Sequence, residues 1–376
     1  MNVYLDNGAT TRPDDAVIET VSSSMREAYG NPSSVHSAGQ QAAAKVEAAR
    51  EILAGGLNAH PREIIFTSGG TESDNLAILG YARANRNRGR HIITTNIEHH
   101  GVLHPCEQLE REGFEVTYLP VDEAGSVNVR QVKDALREDT ILVSVMYANN
   151  EIGTIQPIKE IGEVVRKKGA AFHVDAVQAF GKQELDVERL NVTLLSASAH
   201  KCHGPKGVGL LYIKSGTRLS PVLFGGGQEH NLRSGTVNAT LIAGFGKAAE
   251  LMWEGRAERE EQIAKLRDYF VQRVENEIPG AELNGSRERR MPENANFSFK
   301  GAASDALLYA MDLRGVCLSV GSACAAGSIE PTHVISAIGK ADFGASARFT
   351  LSKYTTKEEL DYTVDALKEV LARLRA

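Results

Sequence analysis

Residues 196–207, SASAHKCHGPKG, form the stretch of sequence that decides the fold. The run 194–198 is short and largely apolar, which is typical of a strand, and Lys201 follows it between two histidines and ahead of a Gly-Pro turn. A lysine in a loop usually lies at the surface, in solvent. At the end of a strand inside a cavity, however, desolvation would lower its pKa and leave a nucleophilic amine. The neighbouring segments decide between these two interpretations.

Outward from this stretch, strand and helix patterns alternate over the first two-thirds of the chain, which predicts an α/β domain with a mainly parallel sheet. Besides 194–198, the predicted strands are 63–67, 91–97, 114–121, 140–147, 170–174 and 207–213, and the predicted helices are 71–84, 101–112 and 157–168. After the glycine loop 225–227 come a long helical stretch, 238–278, short strands and a terminal amphipathic helix. We therefore expect a large domain, 14–255, and a smaller α+β domain, 256–376, on which residues 1–13 pack.

Composition excludes several classes of function. The chain has 376 residues with 42% hydrophobic and 24% charged, as in ordinary globular enzymes, and a net charge of −6 argues against direct binding of nucleic acid. No apolar run approaches the roughly 20 residues that span a bilayer, and no signal or transit peptide is evident. The four cysteines are too few and scattered for a disulfide framework, which favours a reduced, cytoplasmic setting.

Two further strand ends carry groups that fit one cofactor. Asp175 follows the apolar strand 170–174, and pyridoxal phosphate needs a carboxylate to keep its pyridine nitrogen protonated. In residues 67–73, TSGGTES, Gly70 and Thr71 lie at the start of a helix, where backbone N–H groups can bind a phosphate. Taken alone, Asp175 could be a helix cap and the glycines a tight turn. Together with Lys201, they predict a pyridoxal-phosphate site.

A histidine pair ends another strand in residues 96–100, NIEHH. His99 could stack on a planar cofactor and exchange protons near neutral pH. The alternative is a metal site made by His99, His100, His104 and Cys106. It is less favoured, because no second ligand pair with the spacing of a zinc site occurs elsewhere in the chain.

Cys324 lies among small residues in 318–328, LSVGSACAAGS, which predicts a thiol on an accessible loop. Cys317 lies between Val316 and Leu318 and is expected to be a buried structural residue. Cys106 is expected in a helix, and Cys202 is expected to point away from the cofactor. Among the four, Cys324 is the candidate for thiolate chemistry.

In this order, the segments resemble the cysteine desulfurases of the class V aminotransferase group, of the nitrogen-fixation and iron–sulfur-cluster type. The match runs from YLDN at 4–7 through GNPSS at 30–34 to RFTLS at 348–352, and GSAC followed by EPTH at 330–333 marks the desulfurase subgroup. The resemblance implies a pyridoxal-phosphate-dependent transferase of fold type I, acting as a homodimer with active sites at the subunit interface. It implies conversion of L-cysteine to L-alanine, with sulfur carried as a Cys324 persulfide to an iron–sulfur scaffold protein or a tRNA thiolation enzyme.

The resemblance also implies a role for each site residue. Lys201 would hold the cofactor covalently and remove the Cα proton, Asp175 would contact the pyridine nitrogen, and His99 would stack on the ring and shuttle protons. Gln178 would contact the phenolic oxygen. Asn150 and Arg348 would hold the substrate carboxylate. The other implied cofactor contacts are Gly70, Thr71, Ser198, His200 and, across the subunit interface, Thr236, with Asn150 also near the cofactor. No metal is implied, unless Cys324 serves as a cluster ligand.

Three alternatives remain open on the residues. Another class V aminotransferase would need no thiol at Cys324. A selenocysteine lyase would differ only in its substrate. A non-enzymatic assembly protein on the same fold would be expected to have lost Lys201, Asp175 or Cys324, and all three are present.

Overall fold

The computed structural model of the chain describes residues 1–320 and 331–376. Its strands are β1 (Val3–Tyr4), β2 (Ile64–Thr67), β3 (His91–Thr95), β4 (Glu115–Leu119), β5 (Thr140–Ser144), β6 (Ala171–Asp175), β7 (Leu194–Ser198), β8 (Gly209–Ile213), β9 (Ala281–Leu283), β10 (Asn294–Lys300), β11 (Val316–Cys317) and β12 (Gly344–Thr350). Seven of these strands form one sheet in the order β2-β8-β7-β6-β5-β3-β4. This is the mainly parallel sheet that the sequence predicts.

The described helices are α1 (Asp15–Glu27), α2 (Ser37–Leu57), α3 (Gly70–Asn75), α4 (Tyr81–Asn85), α5 (His100–Arg111), α6 (Val129–Ala135), α7 (Ile158–Lys168), α8 (Ala239–Trp253), α9 (Arg256–Glu277), α10 (Ser304–Asp312), α11 (His333–Ala337) and α12 (Lys357–Leu374). A single turn of π-helix, Leu76–Gly80, joins α3 to α4. None of the described helices is long and apolar enough to cross a bilayer.

The large sheet is buried on both of its faces. Val143 belongs to one hydrophobic cluster, and its neighbour Leu142 belongs to another. Successive side chains of a strand point to opposite faces, so these two clusters lie on the two sides of the sheet. Every residue of β5 is buried, which explains why its sequence is a nearly continuous apolar run.

The direction of the strands brings six carboxyl ends, those of β2, β3, β4, β5, β6 and β7, to one edge of the sheet. β3, β4, β5, β6 and β7 run parallel, while β8 runs antiparallel to both β7 and β2. Two reversals restore the direction, so β2 points the same way as β7. Side chains that follow these six strands therefore lie at the same edge, where ligands of open α/β sheets commonly bind.

A second group of elements lies in the C-terminal part of the chain. The antiparallel sheet β12-β10-β9 shares a hydrophobic cluster with α9, α10 and α12. Val3 and Leu5 belong to this cluster, and β1 pairs with β11. The predicted helical stretch 238–278 is divided at Gly255, which has φ +58°. These contacts support the proposed boundary near residue 255, and the exact division into domains stays a prediction.

Candidate active site

A cavity of about 210 Å³ lies at the edge of the sheet where the carboxyl ends of the parallel strands meet. Most of the residues predicted from the sequence line it: Gly70, Thr71, His99, Asn150, Asp175, Gln178, Ser198, His200, Lys201 and Arg348. The structure adds Gly8, Ala9, Asp74, Met146, Ala148 and Val177 to the lining. Most of these residues come from the strand ends of the large sheet, whereas Gly8 and Ala9 come from the N-terminal segment and Arg348 comes from β12.

Lys201 follows β7 at the end of a single 3₁₀ turn, Ala199–Lys201. Its Nζ donates hydrogen bonds to the backbone oxygens of Gly8, at 2.5 Å, and Ala9, at 2.7 Å. Burial, followed by the positive charges of Arg348 and Lys182, lowers the pKa of Lys201 to about 7. Near neutral pH, Lys201 is therefore uncharged and nucleophilic in a far larger fraction of molecules than an exposed lysine is.

Asp175 is the last residue of β6, and its Oδ1 accepts a hydrogen bond from the Val177 backbone at 2.9 Å. Desolvation raises the pKa of Asp175 to about 6. Asp74, in α3, is a second buried carboxyl group in the same lining. Burial and the charge of Asp175 raise the pKa of Asp74 well above its ordinary value. The floor of the cavity thus favours one negative charge rather than two, and a cationic ring nitrogen would stabilise that charge on Asp175.

His99 immediately precedes α5 and caps it, because its Nδ1 accepts a hydrogen bond from the Gly101 backbone at 3.0 Å. Burial and the nearby Lys201 lower the pKa of His99 to about 4, so its ring is neutral at pH 7. A neutral ring that accepts at Nδ1 carries its proton on Nε2. His99 can therefore donate through Nε2.

The neighbours of His99 in the alternative metal site are arranged differently. The rings of His100 and His104 stack at 4.9 Å, and Cys106 is buried within α5. Burial raises the pKa of the Cys106 thiol. Over residues 1–320 and 331–376, no group of three or more histidine, cysteine or acidic side chains is arranged to hold a metal.

A small polar cup lies beside the start of α3. Ser198 is buried, and its Oγ has no hydrogen-bond partner among the described residues. Gly69 has φ +155°, which favours glycine, and a Cβ at Gly70 would lie 2.6 Å from a methyl group of Val177, so a larger residue there would require Val177 to shift. His200 borders the same cavity, and burial lowers its pKa to about 4. Thr236 is exposed and is not among the residues that line this cavity.

Arg348 extends from β12 into the cavity, and its side chain is 2% exposed. It donates to the Asn150 backbone oxygen and to Asp6 Oδ1, both at 2.8 Å. Its Nε is buried without a partner among the described residues. Gln178 instead donates to the Gly8 oxygen at 3.1 Å. Arg348 is therefore held in place at the cavity by two hydrogen bonds, and a guanidinium is well shaped to bind a carboxylate ligand.

One cysteine lies in a different environment from the one predicted. Cys324 lies in 321–330, outside the described residues. Cys106 lies in a helix, as predicted, and both Cys106 and Cys202 are buried. Cys317 is exposed, so the expectation that it is a buried residue was wrong. Val316 and Leu318 point inward, and the alternation of a strand turns Cys317 outward between them.

Comparisons with known proteins place the chain among relatives that match nearly its whole length. The sequence model of the family described as Aminotransferase class-V matches residues 3–363. Cysteine desulfurase IscS of Dictyoglomus turgidum is 50% identical over 375 residues, covering 99% of this chain and 95% of the relative. A solved NifS-like protein has a TM-score of 0.93 at 41% identity, covering 99% of this chain and 100% of that one. SspA in complex with cysteine has a TM-score of 0.84 at 37% identity, covering 94% and 100%.

Proposed function

The chain belongs to the class-V aminotransferase family, and we propose that it works as a pyridoxal-phosphate-dependent cysteine desulfurase. Its fold is that of the NifS-like enzymes of fold type I. The observation that carries the proposal is the convergence of Lys201, Asp175 and Arg348 on one cavity, beside a buried serine hydroxyl without a partner among the described residues. Relatives named cysteine desulfurase, at up to 50% identity over the whole chain, support the choice of substrate.

The residues present fit pyridoxal phosphate. In the small polar cup beside α3, the phosphate would be bound by Ser198 Oγ, Thr71 and His200. Asp175 would pair with the ring nitrogen, and Lys201 would hold the cofactor covalently. His99 would lie against the ring and Gln178 near its phenolic oxygen. When bound, pyridoxal phosphate supplies a protonated conjugated ring that withdraws electrons from the substrate's Cα.

The chain's own residues then divide the work. Arg348 and Asn150 orient the substrate carboxylate, and the neutral amine of Lys201 removes the Cα proton. His99 donates a hydrogen bond from Nε2 into the cavity, and the same nitrogen exchanges protons there. The Cys324 thiolate attacks the substrate sulfur, so an S–S bond forms while the Cβ–S bond breaks and Cβ gains a proton. One L-cysteine and one thiol therefore become one L-alanine and one persulfide.

Incubation with L-cysteine tests the activity. Before a thiol reductant is added, we expect one alanine to form and one sulfur to be retained per chain. After it is added, alanine should accumulate with turnover and an equal amount of sulfide should be released. Turnover of selenocysteine without any turnover of cysteine would favour the selenocysteine lyase alternative. Transfer of the amino group to a keto acid without sulfide would favour another class V aminotransferase.

The destination of the sulfur belongs to the same proposal. We propose that the persulfide serves iron–sulfur cluster assembly or tRNA thiolation in the cytoplasm. The free thiols of Cys106, Cys202 and Cys317 support a reducing compartment. Labelled sulfur loaded from cysteine should pass to one specific acceptor protein in extract.

We further propose a homodimer in which Thr236 reaches the neighbouring subunit's cofactor phosphate. Thr236 is exposed and does not line the cavity of its own chain, and the nearby Phe224 side chain is 83% exposed, which supports contact with a second copy.

A dimer that combines two different inactive subunits tests whether the site is shared. We expect Lys201→Ala and Thr236→Asp homodimers to be inactive, the second because a carboxylate repels the phosphate. A purified dimer with one subunit of each kind should regain about one of its two sites, since the intact Lys201 then faces an intact Thr236. Activity as low as that of the parents, with subunit exchange verified by two affinity tags, would contradict the shared site.

A further inference from the structure

The turn formed by Glu229, His230 and Asn231 has an unusual backbone. All three residues have positive φ, at 45°, 57° and 64°. Residues other than glycine rarely enter the left-handed region, because Cβ crowds the backbone there. Three in succession persist only where surrounding contacts fix them.

A buried ion pair fixes this turn. Arg50 of α2 donates to both carboxylate oxygens of Glu229, at 3.0 and 2.8 Å, and both side chains are less than a tenth exposed. The Arg50 guanidinium also lies 4.6 Å from the centre of the Phe66 ring. A bidentate pair of this kind fixes direction as well as distance.

The same pair completes the edge of the large sheet. β2 is an edge strand, and its outer backbone groups include the Phe66 N–H and the Ile64 oxygen. Glu229 accepts from the Phe66 N–H at 2.8 Å, and Arg50 donates to the Ile64 oxygen at 2.6 Å. The two side chains thus take the place of a neighbouring strand and attach the turn to β2.

The turn is connected on both sides to a loop that contains Thr236. Ser234 donates to the Gly226 oxygen at 2.8 Å, and the Gly235 N–H donates to Gln228 Oε1 at 3.0 Å. Arg233 Nε donates to Glu72 at 2.8 Å. Residues 225–236 are therefore linked into one unit, which is anchored to β2 through the turn 229–231 and to α3 through Arg233.

We infer that Arg50 and Glu229 are positioning residues, and that their ion pair holds the unit 225–236 so that Thr236 meets the cofactor phosphate of the neighbouring subunit. The inference rests on the proposed dimer and on the proposed role of Thr236. Neither Arg50 nor Glu229 lines the cavity of its own chain. Their effect on cofactor retention should therefore act across the interface.

The first test is the rate of cofactor loss from the holoenzyme after dilution. Glu229→Gln keeps the shape of the side chain and removes its charge, and it should accelerate loss about tenfold, as expected for one charge-assisted contact. Glu47→Gln is the matched control, because Glu47 is an exposed partner of the same Arg50, at 3.1 Å, and does not contact the turn. It should leave the rate unchanged. An unchanged rate for Glu229→Gln would overturn the inference.

A second variant separates positioning from general damage. His230 is exposed, and His230→Gly removes the Cβ that makes the left-handed backbone unfavourable. Added to Glu229→Gln, it should restore much of the cofactor retention, because the turn then needs less support. Further loss in the double variant would contradict a role in holding the backbone.

Mixed dimers decide whether the effect crosses the interface. With Lys201→Ala in one subunit, only the other subunit can hold the cofactor covalently. We expect Glu229→Gln to accelerate loss when it is placed in the Lys201→Ala subunit and not when placed beside the intact Lys201. The reverse result would overturn the inference while leaving the dimer intact. A Thr236→Asp homodimer that retains cofactor normally would instead remove the proposed role of Thr236, and the inference with it.

Discussion

Replacing Lys201 by alanine is expected to abolish covalent attachment of pyridoxal phosphate and to lower desulfurase turnover at least about a thousandfold. The Lys201 amine lines the cavity and donates hydrogen bonds to the Gly8 and Ala9 carbonyls. Its loss removes both the point of attachment for the cofactor and the proposed base. Borohydride reduction followed by peptide mass spectrometry should find the adduct on Lys201 in the wild type and nowhere in the variant. The exposed Lys206 is the control, and Lys206→Ala should retain the adduct.

The pH dependence of attachment gives a quantitative check on the same residue. The pKa of Lys201 is lowered to about 7, so the reactive neutral amine increases as pH rises and is nearly complete above pH 8. The rate of covalent attachment to the apo-protein should therefore rise about fivefold from pH 6 to 7 and about twofold from pH 7 to 8. A rate that still rose tenfold per unit at pH 9 would show an ordinary lysine and contradict the effect of burial.

Changing Cys324 to serine is expected to reduce alanine and sulfide release from cysteine at least about a hundredfold while leaving cofactor attachment intact. A hydroxyl retains the shape of the thiol but is a much weaker nucleophile at neutral pH. Bound pyridoxal phosphate, read from its visible absorbance, should equal that of the wild type. Loss of both cofactor and turnover would point to a structural role instead.

The other cysteines supply matched controls. Cys317→Ser is the most useful, because Cys317 is the exposed thiol among the described residues and thus the one best able to react. Cys202 is buried, with its Sγ donating to the Ala199 oxygen at 3.2 Å, and Cys106 is buried in α5. All three serine variants should keep most of the turnover. Sulfide release at a normal rate by Cys324→Ser would favour direct elimination of the substrate thiol over a persulfide.

The site residues that the strand pattern itself predicts are those at or just after strand ends, whereas Asn150, Gln178, Thr236 and Arg348 rest on the family resemblance. The positions of Lys201 and Asp175 can be predicted because short apolar runs indicate β7 and β6, and because parallel strands bring their carboxyl ends together. Val316 and Leu318 are buried, and the period of two in a strand places Cys317 between them on the exposed side, so apolar neighbours in sequence do not predict burial there.

Other parts of the site have no local signal. Gly8 and Ala9 contact Lys201 through backbone oxygens, which any residue type provides. Asp74 is buried in α3, where an acidic residue among polar neighbours predicts an exposed face. Its burial depends on the opposing end of β6, and contacts of that kind are fixed by tertiary packing rather than by the local sequence.

The bond between Asp6 and Arg348 joins residues 342 positions apart, and Asn7 likewise donates to the Thr350 oxygen at 2.8 Å. The amino terminus is synthesised first. The Gly8 and Ala9 carbonyls that accept hydrogen bonds from Lys201 are therefore made long before β12, one of the last elements to be synthesised, on which their position depends. The seven-stranded sheet can form earlier, but the pocket wall made by residues 6–9 is completed only after about nine-tenths of the chain has emerged. A nascent chain stalled before residue 348 therefore has Lys201 without the arginine and the strand that position this wall.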